Sequence, residues 1–287
     1  MSVDVIDLTH VYNPGTPFES KALNDVSMHI ESGEFIGIIG HTGSGKSTLI
    51  QHLNGLLKPQ KGTIIVNGLE ITQKDVSLVN VRKKVGLVFQ YPEYQLFEET
   101  IYKDVAFGPT KLGLDEEEVR RRVYESLKDV GIDAEEKKDA SPFDLSGGQK
   151  RRVAIAGVIA MEPDILILDE PTAGLDPQGR DEILEQIVKI HKEKGTTILL
   201  VSHSMEDVSR VASRLMVMNH GTIELTGPPK EVFRHEKRLA EIGLGVPKIV
   251  TLLNILRDKG YEINKDIISM DEAKDEILKL IRRKSHA

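Results

Sequence analysis

The chain of 287 residues contains no cysteine. That excludes a disulfide framework and any thiolate metal site, and it suits a reducing compartment. Long hydrophobic runs are missing as well. The most apolar stretches, residues 35–40, 165–168 and 197–201, fall far short of the roughly 18 apolar residues that a membrane span requires. Nor is there a basic tract of the kind that tracks a nucleic-acid backbone. Lys and Arg number 38 against 45 Asp and Glu, a net charge of −7. No nucleic-acid partner is expected. An acidic chain is also repelled by an anionic membrane surface, so membrane attachment is expected to run through a protein partner. Residues 1–12 carry Asp4 and Asp7 and lack the positive-then-apolar pattern of a secretory signal. Internal repeats and low-complexity segments are absent too.

What is present is 39% hydrophobic and 29% charged, the composition of a globular protein with one large domain and room for an appendage. Three short apolar runs, 35–39, 165–168 and 197–201, predict buried parallel strands, being β-branched or leucine-rich. Helical spacing over 115–130, with acidic residues in the first turn, predicts a helix there. Strands alternating with helices indicate an α/β domain with a mostly parallel sheet. Residues 3–9 and 63–66, the latter followed by Asn67-Gly68, read instead as strands of an antiparallel layer. Gly227-Pro228-Pro229 punctuates the chain after a strand-like stretch at 222–225. Beyond it, 246–259 and 270–283 read as helices of a small C-terminal extension, residues 228–287.

The segment Gly40-His41-Thr42-Gly43-Ser44-Gly45-Lys46-Ser47 satisfies G-x-x-x-x-G-K-[ST], following one predicted strand and opening a helix at Ser47-Thr48. Glycines let consecutive N–H groups converge on phosphate oxygens, and the helix start adds its positive dipole end. Lys46 is expected to reach the β- and γ-phosphates of a nucleotide, and Ser47 to ligate Mg²⁺. A glycine-rich turn with an incidental lysine is the plain alternative, which the flanking strand and helix disfavour. The apolar run 165–168 ends in Asp169-Glu170. Asp169 is placed to hold the metal, directly or through water, and Glu170 to orient or deprotonate an attacking water. Shortly before it stands Leu145-Ser146-Gly147-Gly148-Gln149. Alone, this reads as a turn before a helix capped by Ser146. Its exposed N–H groups also form a second anion site, which makes sense if it serves the nucleotide of a neighbouring molecule.

Together these motifs resemble the ATPase subunits of ABC transporters over roughly residues 3–227. The resemblance implies a P-loop NTPase fold with a RecA-like, mostly parallel sheet and an antiparallel β layer. It further implies an ATP-binding domain over 1–227, with an inserted helical subdomain at about 91–160, followed by the extension. ATP and Mg²⁺ are the implied ligands. Residues 145–149 match the signature that caps the γ-phosphate held by the opposite subunit of a head-to-tail dimer. Gln90 matches the glutamine that contacts Mg²⁺ and water and senses the membrane partner. Asp176, in Ala173-Gly174-Leu175-Asp176, matches the loop that crosses the dimer interface. His203 matches the histidine that grips the γ-phosphate, and Tyr12 lies where an aromatic residue stacks on adenine. Taken singly, Gln90 reads as a strand-end polar residue, His203 as a helix cap and Tyr12 as a core or surface tyrosine. Their order and spacing favour the functional reading.

The segment 91–109, with Ser141-Pro142-Phe143 and residues 153–162, is similar to the energy-coupling factor importers, related to cobalt and nickel importers, and to the second of their two paired ATPases. That resemblance implies a peripheral subunit on the cytoplasmic face of the membrane. It implies a second ATPase as partner (a heterodimer, with a homodimer left open), a transmembrane coupling subunit and a small substrate-binding membrane protein. Vitamins or transition-metal ions would be the cargo. Glu93, Glu98 and Glu99 are expected to receive basic helices of the transmembrane subunit. The C-terminal extension is expected either to join the dimer contact or to be a solvated helical tail. The rival class is a soluble ABC ATPase acting on a ribosome, DNA or iron–sulfur assembly. Against it, the chain holds one cassette, and no coiled-coil length separates Ser47 from Leu145. A small-molecule kinase would have no use for residues 145–149.

Overall fold

The computed structural model describes residues 2–73 and 76–285. Its strands are β1 (Val3–Tyr12), β2 (Ser20–Ile30), β3 (Phe35–Gly40), β4 (Lys61–Val66), β5 (Leu69–Glu70), β6 (Val85–Val88), β7 (Ile165–Asp169), β8 (Thr197–Val201), β9 (Arg214–Asn219) and β10 (Thr222–Gly227). They form two sheets, β2-β1-β4-β5 and β10-β9-β3-β8-β7-β6. Every pairing in the six-stranded sheet is parallel except β9 with β10. The apolar runs predicted as strands became its centre, and every residue of β3, β7 and β8 is buried. Helices cover both faces of such strands, so neither side chain direction meets water.

The smaller sheet is antiparallel throughout, with Val3 opposite both Ile30 and Val66. Asn67 and Gly68 turn β4 into β5 with φ of +54° and +72°, the two positive values a type I′ hairpin requires. Strand β6 stops at Val88, so Phe89 and Gln90 lie beyond it. It is an edge strand whose last partner, Leu168, is one residue from the end of β7.

The helices are α1 (Lys46–Leu53), α2 (Leu78–Lys84), α3 (Ile101–Lys111), α4 (Glu116–Asp129), α5 (Ala134–Lys137), α6 (Gly147–Ile159), α7 (Pro177–Lys194), α8 (Met205–Val211), α9 (Pro229–Val232), α10 (Glu236–Glu241), α11 (Lys248–Asp258) and α12 (Met270–Ser285). The expected helix over 115–130 is α4. Asp115 caps it by accepting from the Glu118 N–H, and Val119, Val123, Ser126 and Leu127 form its buried face. From Pro92 to Ile159 all regular structure among the described residues is helical, including short 3₁₀ turns at Pro92–Gln95 and Pro142–Asp144.

After β10 come α9 to α12, with α11 and α12 close to the expected helices. This segment is no loose tail. Phe233, Leu239, Leu253 and Ala273 are fully buried in one cluster with residues of β3, β7, β8 and β9. Arg238 pairs with Glu224 on β10 at 2.5 Å, and Lys230 with Glu272 at 2.9 Å. No described helix is long and apolar enough to cross a membrane.

Candidate active site

Strand β3 delivers the chain into Gly40–Gly45, and α1 begins at Lys46. Two of the glycines are structurally required. A Cβ on Gly40 would lie 2.5 Å from the Met218 carbonyl and from Ser44 Oγ. Gly45 has φ +102°, and a Cβ there would lie 2.5 Å from the Ala22 carbonyl. Lys46 is folded over the loop, donating to the carbonyls of Gly40 at 2.7 Å and His41 at 3.0 Å. Burial pulls its ammonium below the usual lysine range, with the charges of Glu170 and Asp169 opposing. The Ser44 hydroxyl is buried with no hydrogen-bond partner. His41 lies against the β9–β10 hairpin, Nε2 3.2 Å from Asn219 Oδ1, and Thr42 accepts from His41 Nδ1 through its carbonyl at 2.8 Å.

Parallel pairing brings the end of β7 beside this loop. Ser47 Oγ donates to Asp169 Oδ2 at 3.1 Å, across 122 positions of sequence. Burial raises the Asp169 carboxyl above the ordinary aspartate range, and the Ser47 hydrogen bond offsets part of this. A buried ammonium and a buried carboxylate beside the glycine loop suit a phosphate–metal pair. Each charge in that pair supplies what burial removes from these side chains.

Glu170 follows with φ +52°, in the left-handed region that residues other than glycine seldom adopt, its N–H held by the Val201 carbonyl at 2.9 Å. That turn aims its carboxylate between two partners. Gln90 Nε2 donates to Oε2 at 3.0 Å, and His203 Nε2 lies 2.6 Å from Oε1. Three loops, after β6, β7 and β8, thus meet on one carboxylate. Tyr12, at the end of β1, has its hydroxyl 3.2 Å from Thr48 Oγ1 on α1, and its ring meets His10 edge-on.

Among the described residues, no hydrogen bond joins Leu145–Gln149 to these groups. Ser146 caps α6 in a reciprocal box, its Oγ accepting from the Gln149 N–H at 3.4 Å while Gln149 Oε1 accepts from the Ser146 N–H at 3.1 Å. Ser146 and Gly147 are exposed. Asp176 caps α7 by accepting from the Gly179 N–H at 3.0 Å. It shares with Ser146, Gly148 and Arg152 the wall of a cleft of about 300 Å³.

One expectation is corrected. Glu93 does not present its charge to a partner: its carboxylate forms a bidentate pair with Arg151, at 2.8 and 3.1 Å, and is 16% exposed. Glu98 is half-buried, and Glu99 is exposed but paired with Lys103 at 2.8 Å. The acidic signal was real; its partner lies within the chain. Three residues of the site neighbourhood were not singled out from sequence. Arg151 sits in the run Lys150-Arg151-Arg152, where basic character was the available signal. Arg180 and Asp207 carry no local signature.

A mostly parallel sheet whose strand β3 runs into a glycine loop, with an acidic pair ending β7, defines a P-loop NTPase. The profile of the family described as ABC transporter matches residues 23–173. The energy-coupling factor transporter ATP-binding protein EcfA2 of Clostridioides difficile (strain 630) is 60% identical over 283 residues, 98% of each chain. That of Clostridium tetani is 58% identical over 285 residues, 99% of each. Among solved structures, cbiO1 of Clostridium perfringens, described as part of the ABC transporter complex cbiONQ, is 42% identical with a TM-score of 0.74. That match covers 88% of this chain and 98% of the other. The ATP-binding cassette MJ0796, solved as a dimer bound to ADP and Pi, is 31% identical with a TM-score of 0.70, over 79% and 98%. The chain belongs to the ABC transporter family, as an ATP-binding and ATP-hydrolysing subunit of the energy-coupling factor importers.

Proposed function

We propose that this subunit holds ATP on residues 40–48 and hydrolyses it with Glu170 as the residue that activates water, in a site closed by residues 145–149 of a second ATPase. The convergence of Gln90 and His203 on Glu170 carries this reading. A carboxylate gripped from two sides is pre-oriented, which saves reorganisation when charge develops on a transferring phosphoryl group. Ser47, Asp169 and Gln90 are the residues that would hold Mg²⁺. The ion, when bound, supplies positive charge to the phosphate oxygens. Lys46 adds a second positive charge at the same end, and Tyr12 offers a ring face to adenine.

Ser146 and Gly147 of the signature are exposed, so they are free to cap a nucleotide on another subunit. Asp176, lining the same cleft, fits a place in that interface. The partner in membrane coupling is a transmembrane subunit, docking over Tyr91, Tyr94, Phe97 and Phe107. These four aromatics remain 42–83% exposed around the segment after Gln90. They form two ring pairs, Tyr91 with Tyr94 and Phe97 with Phe107, and exposed apolar surface of this kind marks an interaction site. The subunit would then sit peripherally on the cytoplasmic face, with a small substrate-binding membrane protein completing an importer of vitamins or transition-metal ions.

Glu170→Gln tests the reading. It keeps the shape and the Gln90 and His203 contacts within reach but removes the base. In the assembled membrane complex, nucleotide binding should persist while turnover falls by about 10²-fold or more, the scale of general-base loss. Near-normal turnover would remove Glu170 from the central role.

A further inference from the structure

The turn that carries Glu170 is not held by its own strand alone. Residues 170–173 form a tight turn, with the Ala173 N–H donating to the Glu170 carbonyl at 3.1 Å. Arg151 reaches this turn from α6, two residues beyond the signature. Its Nη1 donates to the carbonyls of Pro171 at 3.2 Å and Ala173 at 2.5 Å. Its remaining edge, Nε and Nη2, makes the bidentate pair with Glu93. Glu93 lies in the 3₁₀ turn Pro92–Gln95, three residues past Gln90 and between the exposed rings of Tyr91 and Tyr94. The Arg151 side chain is 3% exposed.

A guanidinium is planar, and its donors keep a fixed relative geometry. When Glu93 moves, the Arg151 plane must tilt, and the two carbonyls flanking Thr172 must follow or lose their donor. Burial makes either loss costly, because no water replaces the missing bond. The Glu93 carboxylate is thus mechanically joined to the backbone immediately behind Glu170. Gln90 contacts the Glu170 side chain directly; Arg151, held by Glu93 of the segment after Gln90, acts on the main chain that follows Glu170, at Pro171 and Ala173.

We propose that Arg151 is a positioning residue for hydrolysis: it ties the backbone turn of Glu170 to the 92–95 segment, so that the placement of the carboxylate depends on how that segment is held. The inference rests on the proposed role of Glu170. It differs from the signature's own role, since Arg151 is buried and spends its donors on Glu93 and on the carbonyls of Pro171 and Ala173.

The test uses the assembled membrane complex, with Arg151→Gln, Arg151→Lys, Glu93→Gln and the exchange Glu93→Arg/Arg151→Glu measured beside Glu170→Gln. ATPase kcat and KM are read together, with affinity for a fluorescent ATP analogue as an independent check. Arg151→Gln should lower kcat at least tenfold with KM and analogue affinity within twofold of wild type, since the phosphate loop is untouched. Glu93→Gln leaves the carbonyl contacts in place and should cost kcat less than Arg151→Gln, while lowering the amount transported per ATP hydrolysed. The exchange restores opposite charges but puts a carboxylate against two carbonyls, so kcat should stay low. If Arg151→Gln does not fold, Arg151→Lys decides, because lysine cannot serve the carboxylate and both carbonyls at once; lowered kcat at unchanged KM supports the proposal. Wild-type kcat in a folded Arg151→Gln or Arg151→Lys complex overturns it, as does full recovery of kcat by the exchange. Should Glu170→Gln hydrolyse normally, the underlying reading of Glu170 fails. If Glu170→Gln is inactive and the Arg151 variants are not impaired, only the Arg151 inference falls.

Discussion

Arg180 and Asp207 form an unequal ion pair, and the inequality predicts which half can be removed. The Asp207 side chain is 5% exposed and that of Arg180 35%. Arg180 Nε donates to Asp207 Oδ1 at 2.7 Å, Thr172 Oγ1 donates to Oδ2 at 3.2 Å, and the capping Ser204 of α8 meets the same guanidinium. One carboxylate therefore joins the loop after Glu170, the start of α7 and the helix behind His203. Arg180→Met strips the counter-charge from a buried carboxylate, a change that costs about 3–5 kcal/mol in buried pairs. Asp207→Asn leaves a guanidinium that can turn to water, and it keeps an oxygen for Thr172, so the cost falls to about 1–2 kcal/mol. At about 2 °C per kcal/mol, Arg180→Met should melt roughly 6–10 °C below wild type and Asp207→Asn roughly 2–4 °C below. Differential scanning calorimetry of the purified proteins separates these values. Melting of Asp207→Asn at or below the temperature of Arg180→Met would refute the reasoning, because it would mean that burial does not set which charge is costly to orphan.

Beneath Tyr12, His10 and His52 are buried side by side, with His52 Nδ1 donating to the Thr48 carbonyl at 2.7 Å and Nε2 3.2 Å from His10 Nδ1. Burial is the main reason that both are pulled below the ordinary histidine range. The unfolded chain, with histidines near about 6.5, therefore takes up protons first. Stability from this pair is complete above that value and declines as pH falls toward the lowered folded values. Urea titrations between about pH 7.5 and 5.5 should show this decline, and His52→Gln should flatten it; an unchanged slope would show that the pair is not responsible. Ser146→Ala removes one cap and should cost about 1 kcal/mol of stability. In the assembled complex its loss of ATP turnover should far exceed what that destabilisation explains, with analogue affinity at the chain's own loop retained. Equal turnover in variant and wild type would leave Ser146 as a helix cap alone.

Much of this was legible in the string because the signals are short-range. The all-apolar runs of β3, β7 and β8 declare burial on both faces. Asp115 before three glutamates marks the start of α4, and Asn67-Gly68 supplies the two positive φ values of a hairpin. The glycine loop depends on neighbours within eight positions, and the role of Ser146 as a cap on Gln149, three residues away. Such patterns need no knowledge of what lies across the fold.

The tertiary structure alone decided the pairings. Gln90 and Glu170 are 80 positions apart, Ser47 and Asp169 122, and Arg151 and Glu93 58. Strand order and register settle each of these, and neither is written locally. The same holds for Glu93, whose charge looked outward in the sequence and is held inward by a guanidinium on α6. It holds too for the residues after β10, whose helices join the core of the parallel sheet. Sequence by itself determined that the chain has a phosphate loop, a strand ending in two carboxylates and a signature. Folding decided which side chains grip Glu170, because a hydrogen bond needs atoms within about 3 Å, and only packing brings distant positions that close.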